Sequence, residues 1–102
     1  MVRMLEDNRR AIEALCGRFG VVRLDVFGSA LRDDFQTERS DLDLLVEFRQ
    51  MTPHERADAY FGFLEEVRAL MNVEIDLVVA GAVKNRFIAE DIASTKQLFY
   101  AA

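Results

Sequence analysis

The 102-residue chain has one cysteine, one proline and one histidine, and each scarcity excludes something. Cys16, standing alone, can form neither an internal disulfide nor a multi-cysteine zinc site, and it reads as a small buried thiol. With Pro53 the only proline, and no repeat or low-complexity stretch, there is no candidate linker. His54 falls in the first turn of a predicted helix and reads as an exposed residue rather than a catalytic one. Long apolar runs are also missing. The charged start MVRMLEDNRR lacks the apolar core of a signal peptide, and no later run could span a membrane, so a cytoplasmic protein is expected. Basic charge is in deficit, with thirteen Lys and Arg against eighteen Asp and Glu and a net charge of -5. No overall positive field favours a polyphosphate backbone, and direct binding of long nucleic acid is not expected.

What is present suits one globular domain over residues 1–102. Apolar residues make up 51% and charged residues 30%, and a chain of this length buries about 60 to 70% of its unfolded surface. Leu5, Ile12, Leu15, Cys16 and Phe19 recur at helical spacing, which predicts a helix from about Met4 to Arg18 with Gly20 as its stop. VVRLDVF alternates as a strand and delivers Gly28 and Ser29 to its C-terminal end, where GSALR opens a short helix. DLDLLVEF is a second strand. Thr52, Pro53 and Glu55 spell a capped helix start, followed by an apolar face of Ala57, Tyr60, Phe61, Leu64, Val67 and Met71 and a close at Asn72. VEIDLVV is a third strand, Gly81 breaks it, and AVKNRFIAEDIA returns to helical spacing. The tail KQLFYAA carries no decisive pattern. The alternation predicts an α/β or α+β fold: a small mixed sheet of about three strands flanked by helices.

The second strand poses a chemical question. Asp41 and Asp43 lie two apart, so a strand would hold both carboxylates on one face, about 6 to 7 Å apart along it. Like charges held together cost free energy unless a cation, a donor or a proton relieves them. Asp76 sits in the third strand, with Glu74 on the same face as an alternative. Carboxylate oxygens are the hard ligands that magnesium prefers, and the start of a helix after Gly28 and Ser29 could cradle a phosphate. Alone, Gly28-Ser29 would be only a turn and a cap. Asp41 could pair with Arg39, and Arg32 could simply solvate the short helix.

Taken together, Gly28-Ser29, a spacer, Asp41-x-Asp43 followed by LLVEF, and the later IDLV strand resemble the DNA-polymerase-beta-like nucleotidyltransferase superfamily. The resemblance is greatest to its minimal nucleotidyltransferases, the MntA-type antitoxins encoded beside HEPN-domain toxins. It covers nearly the whole chain, and the spacer from Ala30 to Ser40 is one residue longer than is common. The resemblance implies a nucleotidyltransferase fold, with Asp41, Asp43 and Asp76 as catalytic and magnesium-binding carboxylates. It places Gly28, Ser29, Arg32 and Ser40 around the nucleotide phosphates. It further implies ATP as substrate, two Mg2+ ions, and a HEPN RNase toxin as partner, silenced when AMP is transferred to one of its tyrosines. The alternative is a nucleotidyltransferase-fold antitoxin that neutralises its partner by binding, with weak or no catalysis.

Overall fold

The computed structural model describes residues 3–28 and 41–102. The helix expected over Met4 to Arg18 is two helices, α1 over Arg3–Asp7 and α2 over Arg9–Phe19. The break has a local cause. Asn8 leaves helical geometry at φ -109° and ψ 13° and donates its side-chain amide to the Met4 carbonyl at 2.9 Å, the competition with backbone bonding that makes Asn a poor interior residue. Gly20, left-handed at φ 73°, ends α2 and returns its N–H to the Cys16 carbonyl.

Strand β1 (Val21–Phe27) follows directly, then β2 (Leu42–Phe48), helix α3 (Pro53–Met71), β3 (Ile75–Val79), α4 (Arg86–Thr95) and β4 (Gln97–Ala101). Among the described residues four strands form one mixed sheet in the order β3-β2-β1-β4. β1 runs antiparallel to both β2 and β4, whereas β2 and β3 are parallel and α3 makes the crossover between them. The sheet is therefore mixed, as expected, with one strand more than the sequence showed. That extra strand is the apolar tail, placed by Leu24 pairing with Tyr100 and Asp25 with Leu98. The short helix expected from Gly28 onward falls outside the described residues.

One face of the sheet holds the core. Leu24 and Val26 of β1, Leu42, Leu44 and Val46 of β2, and Leu77 of β3 pack with Leu5, Ile12 and Cys16 of the first helices and with Phe63, Val67 and Met71 of α3. The buried stripe of α3 thus runs through Phe63 at four-residue spacing, and Phe61, expected on that stripe, is 65% exposed. Tyr60 ties α3 to β3 by donating its hydroxyl to the Leu77 carbonyl at 2.6 Å. Burial pushes the Cys16 thiol up to about 12, in keeping with an inert thiol in the core. His54 is exposed, 3.5 Å from Asp58.

Helix α4 starts later than its apolar pattern suggests. Asn85 caps it by accepting from the N–H groups of Phe87 and Ile88 at 3.0 and 3.1 Å, so Val83 lies before the helix. Of the apolar residues at helical spacing in this segment, Val83, Phe87, Ile88 and Ile92, only Ile92 is buried, and Phe87 is 81% exposed.

At the start of α3 the capping box is complete: the Glu55 N–H donates to the Thr52 hydroxyl at 3.1 Å, and the Thr52 N–H donates to the Glu55 carboxylate at 3.0 Å. The Thr52 backbone bond, with its hydroxyl, holds Glu55 below the usual glutamate range. A depressed carboxylate contributes stability above its unfolded pKa that is lost as pH falls through its folded pKa. Thr52→Ala should cost about 1 kcal/mol at neutral pH. The gap in melting temperature between the parent chain and Glu55→Gln should close as pH drops below the ordinary glutamate range; thermal scans at neutral and acid pH check both outcomes.

Candidate active site

The sheet's other face carries the acids. Because β2 alternates, Leu42, Leu44 and Val46 face the core while Asp43, Leu45 and Glu47 face away from it. Register then decides the neighbours. Asp43 pairs with Phe27 on β1 and with Asp76 on β3. Paired strands lie about 4.8 Å apart, so the two carboxylates project side by side from adjacent strands. Like charges directly opposite one another are destabilising unless other groups relieve them.

The two third-strand acids stand in different settings. Glu74 precedes β3 and receives both of its bonds from the Arg68 guanidinium at 3.1 Å. Asp76, exposed within β3, is the acid in register with Asp43. Asp41 immediately precedes β2 and is exposed. Among the described residues no group of three His, Cys, Asp or Glu side chains is gathered tightly enough to hold a metal, so Asp41 does not close onto the Asp43–Asp76 pair in this arrangement. Ser29, Arg32 and Ser40 lie outside the described residues.

Gly28 occupies the end of β1 in the left-handed region, at φ 71°. A Cβ built there would overlap an oxygen of the Asp43 carboxylate and lie 3.0 Å from its Cγ. The glycine of the Gly28-Ser29 pair therefore admits the Asp43 side chain against the backbone. That contact was not readable from the sequence, where Gly28 pointed only to close approach by a phosphate. Paired hard oxygen donors beside a glycine turn suit a divalent cation, and the donor chemistry of Asp43 and Asp76 fits magnesium.

The same face holds a charged group that the strand pattern hid. Asp25 is 1% exposed, and the Arg23 Nε donates to it at 3.0 Å and Nη2 at 3.2 Å. Lys96 Nζ, from the junction of α4 and β4, stands 3.8 Å away. The carboxylate raises the Arg23 pKa through its hydrogen bond and its charge. Arg23, two residues from Asp25 on the same face, was the only local signal; Lys96 is too distant in sequence to be seen.

Residues 8–99 match the model of a family described as nucleotidyltransferase domain. A candidate protein adenylyltransferase of Methanocaldococcus jannaschii is 33% identical over 84 residues, 82% of each chain. Protein adenylyltransferase MntA of Thermococcus cleftensis is 34% identical over 67% of this chain and 65% of its own length. Among solved structures, a candidate minimal nucleotidyltransferase superposes with a TM-score of 0.69 and 32% identity, covering 95% of both chains. A chain from the complex of tri-AMPylated Shewanella oneidensis HEPN toxin with MNT antitoxin shares the fold, with a TM-score of 0.65 at 14% identity over 95% of this chain and 72% of that one.

The Gly28 contact yields a test. Gly28→Ala forces a left-handed alanine, at about 1 to 2 kcal/mol, and drives a methyl into the Asp43 carboxylate. The melting temperature should fall by about 4 °C or more, and Asp43 should be displaced even where the chain still folds. A stable variant with unchanged magnesium-dependent nucleotide binding would separate Gly28 from the acids.

Proposed function

The chain belongs to the nucleotidyltransferase domain family, and from that premise we propose that it is an antitoxin that transfers AMP from ATP to a tyrosine of a HEPN RNase toxin in the cytoplasm, silencing it. The observation that carries this reading is the register of Asp43 with Asp76 beside Gly28: two acids paired at a cost to the fold, on the face of the sheet left clear of the main core. The adenylyltransferase relatives support a protein as acceptor, and the HEPN–MNT complex supports the partner.

The residues divide the work by position. Asp41, Asp43 and Asp76 would hold magnesium, two ions in all, which when bound neutralises charge on the phosphates and on the leaving pyrophosphate. Asp43 is fixed by β2 and by the Gly28 backbone, so its carboxylate is oriented before any ligand arrives. Asp76, exposed on the neighbouring strand, would draw the proton from the incoming tyrosine hydroxyl. Gly28, Ser29, Arg32 and Ser40 would serve the phosphates, through backbone N–H groups, hydroxyls and a guanidinium that donate to phosphate oxygens. The tyrosine oxygen attacks the α-phosphorus, the bond from that phosphorus to the bridging oxygen breaks, and pyrophosphate departs with the electron pair.

The second reading is an antitoxin that masks its partner without turnover. It is favoured by the lack of a three-acid group among the described residues. Incubation with α-labelled ATP, magnesium and a candidate HEPN partner separates the two. Transfer predicts label on the partner, lost by about 10²-fold or more in Asp43→Asn and in Asp76→Asn, while both variants still fold and still bind the partner. Full protection of cells by Asp43→Asn would overturn transfer in favour of masking. Magnesium and ATP at about a hundred times the dissociation constant should stabilise the parent by about 2.7 kcal/mol, and neither Asn variant should show that gain.

A further inference from the structure

Between the first half of α3 and the end of β3 lies an open groove of about 400 Å³, lined by Pro53, Arg56, Ala57, Tyr60, Phe61 and Val79. The Tyr60 hydroxyl, bonded to the Leu77 carbonyl, fixes α3 against β3, and Phe61 stands edge-on to the Tyr60 ring with centroids 5.1 Å apart. A phenylalanine that is 65% exposed is thus set against a fixed neighbour. Arg56 makes no ion pair among the described residues, whereas Arg68 on the same helix is bound to Glu74. An adjoining cleft shares Arg56 and Val79 with the groove and adds Arg49 and Glu47. Glu47 also acts on Arg23 of β1, so the two guanidinia leave this end of the groove positive, on a chain whose net charge is -5.

We propose that this groove docks the protein that accepts AMP, through a segment presenting a large apolar side chain beside a carboxylate; this rests on the transfer reading and adds to it the surface by which the acceptor is held. Chemistry selects the segment. Pro53, Tyr60, Phe61 and Val79 offer the apolar and aromatic area on which an interface anchor packs, and the Arg56 guanidinium can take a carboxylate with two parallel bonds. The volume falls within the about 300 to 1,000 Å³ of pockets for drug-sized ligands, room for a short run of side chains. Because the chain as a whole repels acidic surfaces, a local positive end directs an acidic segment here rather than elsewhere. Position favours the acceptor over a second copy of this chain. Val79 follows Asp76 by three residues on β3, about 10 Å along the strand, and β3 is the outermost strand on that side among the described residues. A protein seated in the groove therefore stands at the open edge next to Asp76, while Asp43 and Gly28 lie on the inner strands. A second copy related by a two-fold axis through the groove would set Arg56 against Arg56, like charge on like.

The test titrates a candidate HEPN partner, in binding and in label transfer, against the parent chain, Phe61→Ala and Arg56→Gln. Both side chains are exposed and both replacements are good helix formers, so α3 should persist. In each variant affinity for the partner should fall about tenfold or more. KM for the partner should rise in step, while kcat at saturating partner and the affinity for magnesium-ATP alone stay unchanged. Arg56→Gln should also lose most of the salt dependence of partner binding that the parent shows. Unchanged partner affinity in either folded variant overturns the docking site and leaves transfer intact. A parent that is dimeric without partner and monomeric as Phe61→Ala overturns it too, by giving the groove to a second copy. A parent that binds the partner without labelling it, and loses that binding in both variants, upholds the docking site and replaces transfer by masking. A parent that neither binds nor labels the partner overturns both.

Discussion

Everything at the acid face depends on the register of β2 between β1 and β3. A strand shifted by one residue turns every side chain to the other face. Such a slip would carry Leu42, Leu44 and Val46, all fully buried, out of the core, and would bury Asp43 in their place. The apolar half of β2 therefore locks the polar half. With Leu44 set opposite Val26 and Leu77, Asp43 can only meet Phe27 and Asp76. The two acids are held in place by packing on the reverse side of the same strands, and Asp43 also by its approach to the Gly28 backbone.

Much of this was legible because it is local. The Thr52–Glu55 capping box, the strand alternation and the Gly20 stop are decided by neighbours within a few residues, and each appears where the sequence placed it. Asp41, Asp43 and Asp76 stood out because acids in apolar strands have few structural excuses. What failed was non-local. The fourth strand depends on β1 having an open edge, which no pattern in KQLFYAA reveals. Phe63 was passed over on α3 because Phe61 offered an equal hydrophobe two residues away, and only the direction of the sheet chooses between them. The closeness of Gly28 to Asp43 is a cross-strand contact that depends on pairing β1 with β2.

Asp25 shows the same limit from the other side. In sequence it is the polar member of an alternating strand, with water as its implied partner. In the fold it is buried under the junction of α4 and β4, and it is paired with Arg23 from its own strand and Lys96 from far along the chain. A buried charge without partners would be strongly destabilising, whereas one held by two cations is tolerable. That pairing also anchors the end of α4 over the acid-bearing face. A helix with Phe87 and Ile88 turned to solvent has few apolar contacts to hold it, so an ion pair at its C-terminal end matters more here than it would on α3.

The two faces therefore differ in what they can tolerate. On the core face, side chains from all four strands, Phe99 of β4 included, interlock with α1, α2 and α3, and a lost methylene leaves a cavity that the surroundings cannot fill. On the other face, a cavity of about 200 Å³ lies beneath α4 beside Leu45 and Ile92, and Asp43 and Asp76 stand near the strand starts. Substitutions there should alter binding before they alter folding, which is the property a ligand site requires of its scaffold. The exception is Gly28. It sits on β1, whose Leu24 and Val26 belong to the core, and it touches Asp43 on the face opposite, so strain introduced there reaches both. A single backbone position joins the stability of the sheet to the geometry of its acids, because the turn that leaves β1 passes directly against the carboxylate that β2 presents.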